Sequence, residues 1–365
     1  MKPLRCILLV VLAGCGHAEP FTTDAPGDGG PRDATAPVRL TYNIGQDGWA
    51  AWSADGTTLY YSAQDTFTVD KDRCIVRMPG GGGTRSPLAC PADPGGNDTT
   101  EILDQPAPRG GRLVYASSTL GVDEHSPFRI ALWLARDSSF APATRLFDFP
   151  YTAPSGRSHD APLFLQWLRD DVLLFIGAEN GCCRKDTMRF GEQVVLLDVG
   201  GAAPVRSFVP GTTRASAVQA AADGATIYYT IAGDSRVFAQ VLTTGQVDTL
   251  HDFGPGRVAR DPQLRGTTLF AIVDGHDGFT DLPPFDDVQV DYGGKLVAVD
   301  LATGTETRQG DTLHLYKRPR LAPGGGALAV EGYPMTINVL RDSTGTIILA
   351  DTSVSRWADL WLLEE

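Results

Sequence analysis

Hydrophobic positions along this chain fall in short runs broken by Gly, Pro, Asp and Thr, and almost no extended stretch repeats every 3.6 residues. The clearest unit runs from Trp49 to Ser62. A strand leads into a tight Asp55-Gly56 turn, and a second strand, Leu59-Tyr60-Tyr61-Ser62, is rich in β-formers. Weaker copies of the turn precede Leu113-Val114-Tyr115, Leu173-Leu174-Phe175, Ile227-Tyr228-Tyr229, Leu269-Phe270-Ala271 and Leu328-Ala329-Val330. Further hairpins follow, such as Val194–Asp198 turning into Val205–Phe208, and Val237–Leu242 turning through Thr243-Thr244-Gly245 into Val247–Leu250. The pattern predicts an all-β chain with little helix.

The second strands begin at 59, 113, 173, 227, 269 and 328, with spacings of 54, 60, 54, 42 and 59 residues. A four-stranded propeller blade takes about 40 to 45 residues, so most units carry loop insertions. Six such units predict a six-bladed β-propeller of four-stranded antiparallel blades. Ile337–Leu340 and Thr346–Leu349 form an extra apolar pair. It reads as a hairpin inserted in blade six, with a seventh blade as the rival count. Val38–Asn43 looks like the outer strand of a blade, and Asp359–Glu364 like a third strand lacking its neighbour. Pairing the two would seal the ring and remove open edges.

Trp52-Ser53-Ala54-Asp55-Gly56-Thr57-Thr58-Leu59-Tyr60-Tyr61-Ser62 resembles the WD40-like repeat of the TolB-type propellers, with Ala54 at the usual proline. Units four and six keep fragments of it. The resemblance implies a propeller over residues 38–365. TolB's own N-terminal α/β domain has no counterpart here, where residues 16–37 are rich in Gly, Pro, Asp, Thr and Ala and read as a flexible tether.

An apolar run from Cys6 to Ala13 follows Lys2 and Arg5. This is the layout of a secretory signal, too short to span a bilayer as a helix. Leu12-Ala13-Gly14-Cys15 resembles the lipobox of bacterial lipoproteins. The resemblance implies cleavage before Cys15, a thioether-linked diacylglycerol on its sulfur, and an acyl chain such as palmitate on its new amine. Each buried methylene adds about 0.8 kcal/mol, so several chains hold firmly. The expected organisation is a signal over 1–14, lipidated Cys15 and tether over 15–37, and the propeller over 38–365. Gly16 stands where the inner-membrane retention signal of enteric bacteria has aspartate, which favours the periplasmic face of the outer membrane.

A net charge of -13 argues against nucleic acid, which rewards clustered Lys and Arg, and against electrostatic adhesion to anionic lipid. Membrane contact then rests on the acyl chains. Cys74 and Cys90 bracket the Pro79–Gly83 turn, and a hairpin centred near Gly82 sets them opposite each other. A disulfide there would contribute roughly 3 kcal/mol. For adjacent Cys182 and Cys183 a strained vicinal disulfide, two thiols and a ligand site all stay open.

Gly-x-Ser-x-Gly, a Walker loop and His-Glu-x-x-His are all missing from the sequence. His159 and Asp160 stand just before the first strand of blade three. Asp274, Asp277 and Asp281 crowd one loop around His276. A solvated acidic loop is the default there, and Ca²⁺ the alternative. Asp47, Asp104 and Asp160 share one place in their repeats, and Arg260, Asp261, Lys317 and Arg318 stand near the equivalent places later. In a closed ring they would surround one tunnel opening. They either cap loop amides or form a polar funnel for a peptide segment or small ligand. The expected function is a noncatalytic, monomeric binding platform for an envelope protein or peptide, with no cofactor. The alternative is a metal-assisted hydrolase or lactonase at the tunnel mouth.

Overall fold

The computed structural model describes residues 37–42, 45–64, 73–91, 100–120, 129–136, 143–149, 162–178, 192–275, 277–280, 288–291, 293–341, 344, 347–355 and 357–364. The signal and tether, His159, Asp160, Asp281, Cys182 and Cys183 lie outside the described residues.

After β1 (Val38–Arg39), blade one holds β2 (Asp47–Trp52), β3 (Thr58–Gln64), β4 (Arg73–Pro79) and β5 (Ser86–Ala89). Blade two holds β6 (Thr100–Arg109), β7 (Arg112–Leu120), β8 (Arg129–Arg136) and β9 (Thr144–Asp148). Blade three holds β10 (Leu163–Arg169), β11 (Val172–Ala178), β12 (Glu192–Asp198) and β13 (Val205–Phe208). Blade four holds β14 (Ala215–Ala220), β15 (Thr226–Ile231), β16 (Arg236–Val241) and β17 (Val247–Asp252). Blade five opens with β18 (Ala259–Arg265) and β19 (Thr268–Val273). The hairpin of β20 (Asp277–Thr280) and β21 (Val288–Asp291) is inserted before its last two strands, β22 (Lys295–Asp300) and β23 (Thr305–Arg308). Blade six holds β24 (His314–Leu321), the long β25 (Ala327–Arg341), β26 (Ile347–Val354) and β27 (Asp359–Glu364).

In blades one to four successive strands pair antiparallel, in blade five β19 pairs with β22 past the inserted hairpin, and in blade six β25 pairs antiparallel with β24, β26 and β27; one parallel pair, Arg73 to Ile102, joins blades one and two. The innermost strands β2, β6, β10, β14, β18 and β24 touch in that order, and β24 returns to β2. The ring therefore has six blades. The rival seventh falls away because residues 335–354 are the far half of β25 paired with β26, a hairpin carried by blade six.

Each blade interface is one apolar cluster. Leu173 and Phe175 of β11 pack toward blade two, while Leu174 and Ile176 pack toward blade four. Burial on both faces explains why these middle strands read as unbroken apolar runs. The turns follow their side chains. Asp55 Oδ1 accepts hydrogen bonds from Ser53 Oγ (2.6 Å), Thr57 N–H (3.0 Å) and Thr57 Oγ1 (2.9 Å). These donors hold its carboxyl down at about 2. Asp223 repeats the arrangement with Ala225 and Thr226. Gly56 and Gly224 supply the left-handed backbone, at φ of 71° and 63°.

The two chain ends complete blade six. Val38 pairs with Leu362 and Arg39 with Trp361. Leu40 N–H donates to Leu360 O (2.7 Å), and Leu360 N–H donates to Thr41 Oγ1 (2.9 Å). Arg39 pairs with buried Asp359 at 2.5 Å. Burial pushes the Asp359 carboxyl up to about 6 against the pull of Arg39. In blade one, Cys74 and Cys90 are disulfide-bonded across the β4–β5 hairpin, as their spacing about Gly82 requires.

Candidate functional site at the propeller axis

Every inner strand carries a one-residue bulge against its neighbour. Five of the six bulges hold a non-glycine residue at positive φ: Trp49 (56°), Gln105 (52°), Phe164 (62°), Asp261 (49°) and Arg318 (48°). Such backbone costs on the order of 1–3 kcal/mol per residue and persists where the surroundings fix it. In blade four Ser216 takes the bulge, and the left-handed residue is Arg214 (67°).

The bulged side chains meet across the channel. Trp49 and Phe164 belong to blades one and three, which are not neighbours, yet their rings lie edge to face at 5.6 Å. The Arg318 guanidinium stacks on Trp49 at 3.6 Å, and Arg320 lies 5.8 Å from the Phe164 ring centre. Arg318 Nη1 donates to both oxygens of fully buried Glu331, at 2.7 and 2.6 Å. Its backbone N–H donates to Asp261 Oδ2 (2.8 Å), and Trp49 N–H donates to Glu331 Oε1 (2.7 Å). Burial opposes the charge on Arg318, but the Glu331 carboxylate outweighs it and holds the guanidinium above its ordinary range. A Cβ at Gly48 would stand 2.8 Å from Glu331 Oε1, so only glycine leaves room for this acceptor.

A second charged layer lies alongside. Burial pushes Asp104 up to about 6, while Arg73 and Arg318 pull it down. Burial lowers Arg73, and Asp104 opposes that shift. Arg73 Nη2 donates to Gln46 Oε1 (3.2 Å), whose Nε2 donates to the Tyr333 hydroxyl (3.2 Å).

Of the residues expected at one tunnel opening, Asp47, Asp104, Arg260, Asp261, Lys317 and Arg318 are described. The strand register corrects their equivalence. Gly48, Asp104, Arg260 and Lys317 stand just before the bulge, Asp261 and Arg318 occupy it, and Asp47 lies one residue further back. Asp47 is fully buried, and its carboxylate acts with burial to raise the Tyr61 hydroxyl above its ordinary range. In the acidic loop, Asp274 accepts from Arg257 and Lys295, each at 3.3 Å, and Asp277 begins β20. Among the described residues, no group of three His, Cys, Asp or Glu is placed to hold a metal ion.

Trp49, Phe164, Gln105, Glu331, Arg73 and Arg320 were missed by sequence reasoning. All but Arg73 and Glu331 lie at the bulge or two residues beyond it, so stepping through the repeats in bulge register would have found them.

Beyond the Trp49–Phe164–Arg318 plug the axis opens into a cavity of about 210 Å³, running from Trp49 and Gln105 to the turn ends at Arg109 and Pro323. Amide side chains lock its wall from blade to blade. Gln105 donates to Pro162 O and accepts from Leu165 N–H (3.1 Å). Gln166 donates to Val218 O (2.9 Å) and accepts from Ala220 N–H (2.8 Å), and Gln219 accepts from Leu264 N–H (2.8 Å). The indole N–H groups of Trp52 and Trp167 donate to Arg320 O and Ala107 O, both at 2.9 Å.

These features define a closed six-bladed β-propeller with an axis plugged on one side. The fold is similar to that of a gluconolactonase from Xanthomonas campestris, at 13% identity over 95% of this chain and 94% of that one, with a TM-score of 0.51. TolB from Acinetobacter baumannii is similar at 13% identity over 86% of this chain and 81% of that one, with a TM-score of 0.46. A prolyl endopeptidase matches at 16% identity over 80% of this chain, with a TM-score of 0.40, and this chain spans 36% of its length. No protein-family model and no curated protein matches the chain. At these identities the likeness is one of fold.

Proposed function

We infer that this protein is a noncatalytic binding platform, anchored through lipidated Cys15 at the periplasmic face of the outer membrane, that receives its partner at a mouth of the propeller axis. One observation carries the binding reading: the axial carboxylates Glu331 and Asp261 accept hydrogen bonds from Arg318 and Trp49, donors supplied by blades six and one. Acceptors committed in this way build a rigid wall instead of a metal or acid–base centre, which needs free carboxylates converging on one point. The Cys74–Cys90 disulfide supports export to an oxidising compartment.

Photo-crosslinking in intact cells tests this. A crosslinker at Arg109 or Pro323, on the cavity rim, is expected to yield a discrete adduct that one at exposed Val247, on an outer strand, does not. Equal capture from all three positions, together with metal-dependent lactone hydrolysis by the pure protein, would overturn the reading. Cys15→Ser is expected to abolish lipid mass and signal cleavage.

A further inference from the structure

We propose that the axial cavity binds an organic carboxylate, anchored by Arg320 and Gln263. The assignment rests on the binding-platform reading and names its ligand chemistry.

Three observations converge on the cavity. First, its charge is inverted relative to the chain. The protein carries 44 Asp and Glu against 31 Lys and Arg, yet among the described residues the cavity wall holds Arg109 and Arg320 and no carboxylate. Arg109 is committed to Asp170 at 2.8 Å. Arg320 is not: among the described residues its guanidinium makes no hydrogen bond or ion pair, and it lies near the Phe164 ring, in the fields of the Asp261 and Glu331 carboxylates and of the Arg318 cation. Burial pulls it down to about 10, Asp261 and Glu331 oppose that shift, and the Arg318 charge adds to it.

Second, the spare hydrogen-bonding capacity is of one kind. Gln166 uses both N–H groups and its oxygen within the wall. Gln263 Oε1 accepts from Gln219 Nε2 (3.2 Å) and Leu321 N–H (3.5 Å), while its own amide N–H groups have no acceptor among the described residues. Gln263 and Arg320 hold the same position, two residues past the bulge, on neighbouring inner strands. Adjacent blades thus present unused donors to one space. A group with acceptors only and a negative charge fits them, and a guanidinium takes a carboxylate through two parallel hydrogen bonds.

Third, size and apolar lining bound the rest of the ligand. The cavity, at about 210 Å³, takes a small organic molecule. Trp52, Trp167 and Leu165 supply apolar wall for a small organic body, whereas an inorganic anion would leave it unfilled.

Calorimetric titration of the folded protein with benzoate, and with its neutral isostere benzamide, tests the assignment. A pentapeptide with a free C-terminal carboxylate, and its amidated form, distinguish a small acid from a chain end as the source. At least one carboxylate probe is expected to bind saturably and about tenfold or more tighter than its neutral counterpart. Arg320→Gln is expected to remove that preference, and Arg320→Lys to restore part of it. The benzoate–benzamide comparison in the native protein stands even if a variant fails to fold. Equal binding of charged and neutral forms, a preference that survives Arg320→Gln, or no binding of either carboxylate overturns the assignment. If the rim crosslinks persist in that case, the platform reading still holds and only the carboxylate assignment falls.

Discussion

The Arg318 guanidinium lies 3.6 Å from the Trp49 ring centre while both residues hold left-handed backbone, at φ of 48° and 56°. Two strained residues from blades six and one thus stack on the axis, and Glu331 joins them by accepting from the side chain of one and the backbone of the other. The charge, the ring contact and the strain belong to one unit that closes one end of the channel.

Removing one member of this unit should be costly. Glu331→Gln keeps the side-chain size but leaves the Arg318 charge without its counter-ion, an effect of about 3 kcal/mol for a buried pair. Urea unfolding of E331Q, R318M and the double variant measures it. The two losses are expected to couple by more than about 1 kcal/mol, and additivity within about 0.5 kcal/mol would separate the residues energetically.

Asp104 gives the stability a defined pH dependence. Its folded carboxyl is raised to about 6 from an unfolded value near 3.8. The neutral form is therefore favoured by folding, and its contribution is complete below about pH 4 and lost as pH rises through 6. The stability of the native protein relative to Asp104→Asn should fall by about 2 kcal/mol between pH 4 and 7, allowing for water in the channel. Asp359 shifts in the same direction but is present in both proteins, so the difference isolates Asp104. A flat difference profile would refute this placement of the carboxyl.

The Cys74–Cys90 bond closes a loop of sequence separation 16. Cys74→Ser with Cys90→Ser should lower unfolding stability by about 3 kcal/mol in the loop-entropy model. Reductant should do the same to the native protein and nothing further to the double variant, as read by denaturation midpoints.

Blade boundaries were legible because each second strand is buried on both faces, as in β11, and because Asp-Gly turns mark the hairpins. The closing pair showed as Val38–Asn43, with the look of an outer strand, at one end and Asp359–Glu364, a third strand lacking its neighbour, at the other. The site was only half legible. Asp104, Asp261 and Arg318 stood out as charges, but the bulge inserts one residue into each inner strand and shifts the alternation of side chains. That shift separates Asp47 from Asp104 and brings Trp49 and Phe164 onto the axis. Glu331 was hidden because it lies on a second strand directly after the apolar run Ala327–Val330, and nothing local distinguishes an acid that caps a distant bulge.

Every feature of the axis requires that the first and last strands share one blade. A Val38→Cys, Leu362→Cys variant tests this most directly, since the two are register partners in the antiparallel β1–β27 pair, whose Cα spacing suits a disulfide. Oxidation is expected to link them in high yield within the monomer, shifting its mobility on a denaturing gel and raising the unfolding midpoint. Free thiols in the folded protein, or crosslinks formed only between molecules, would contradict the closed ring.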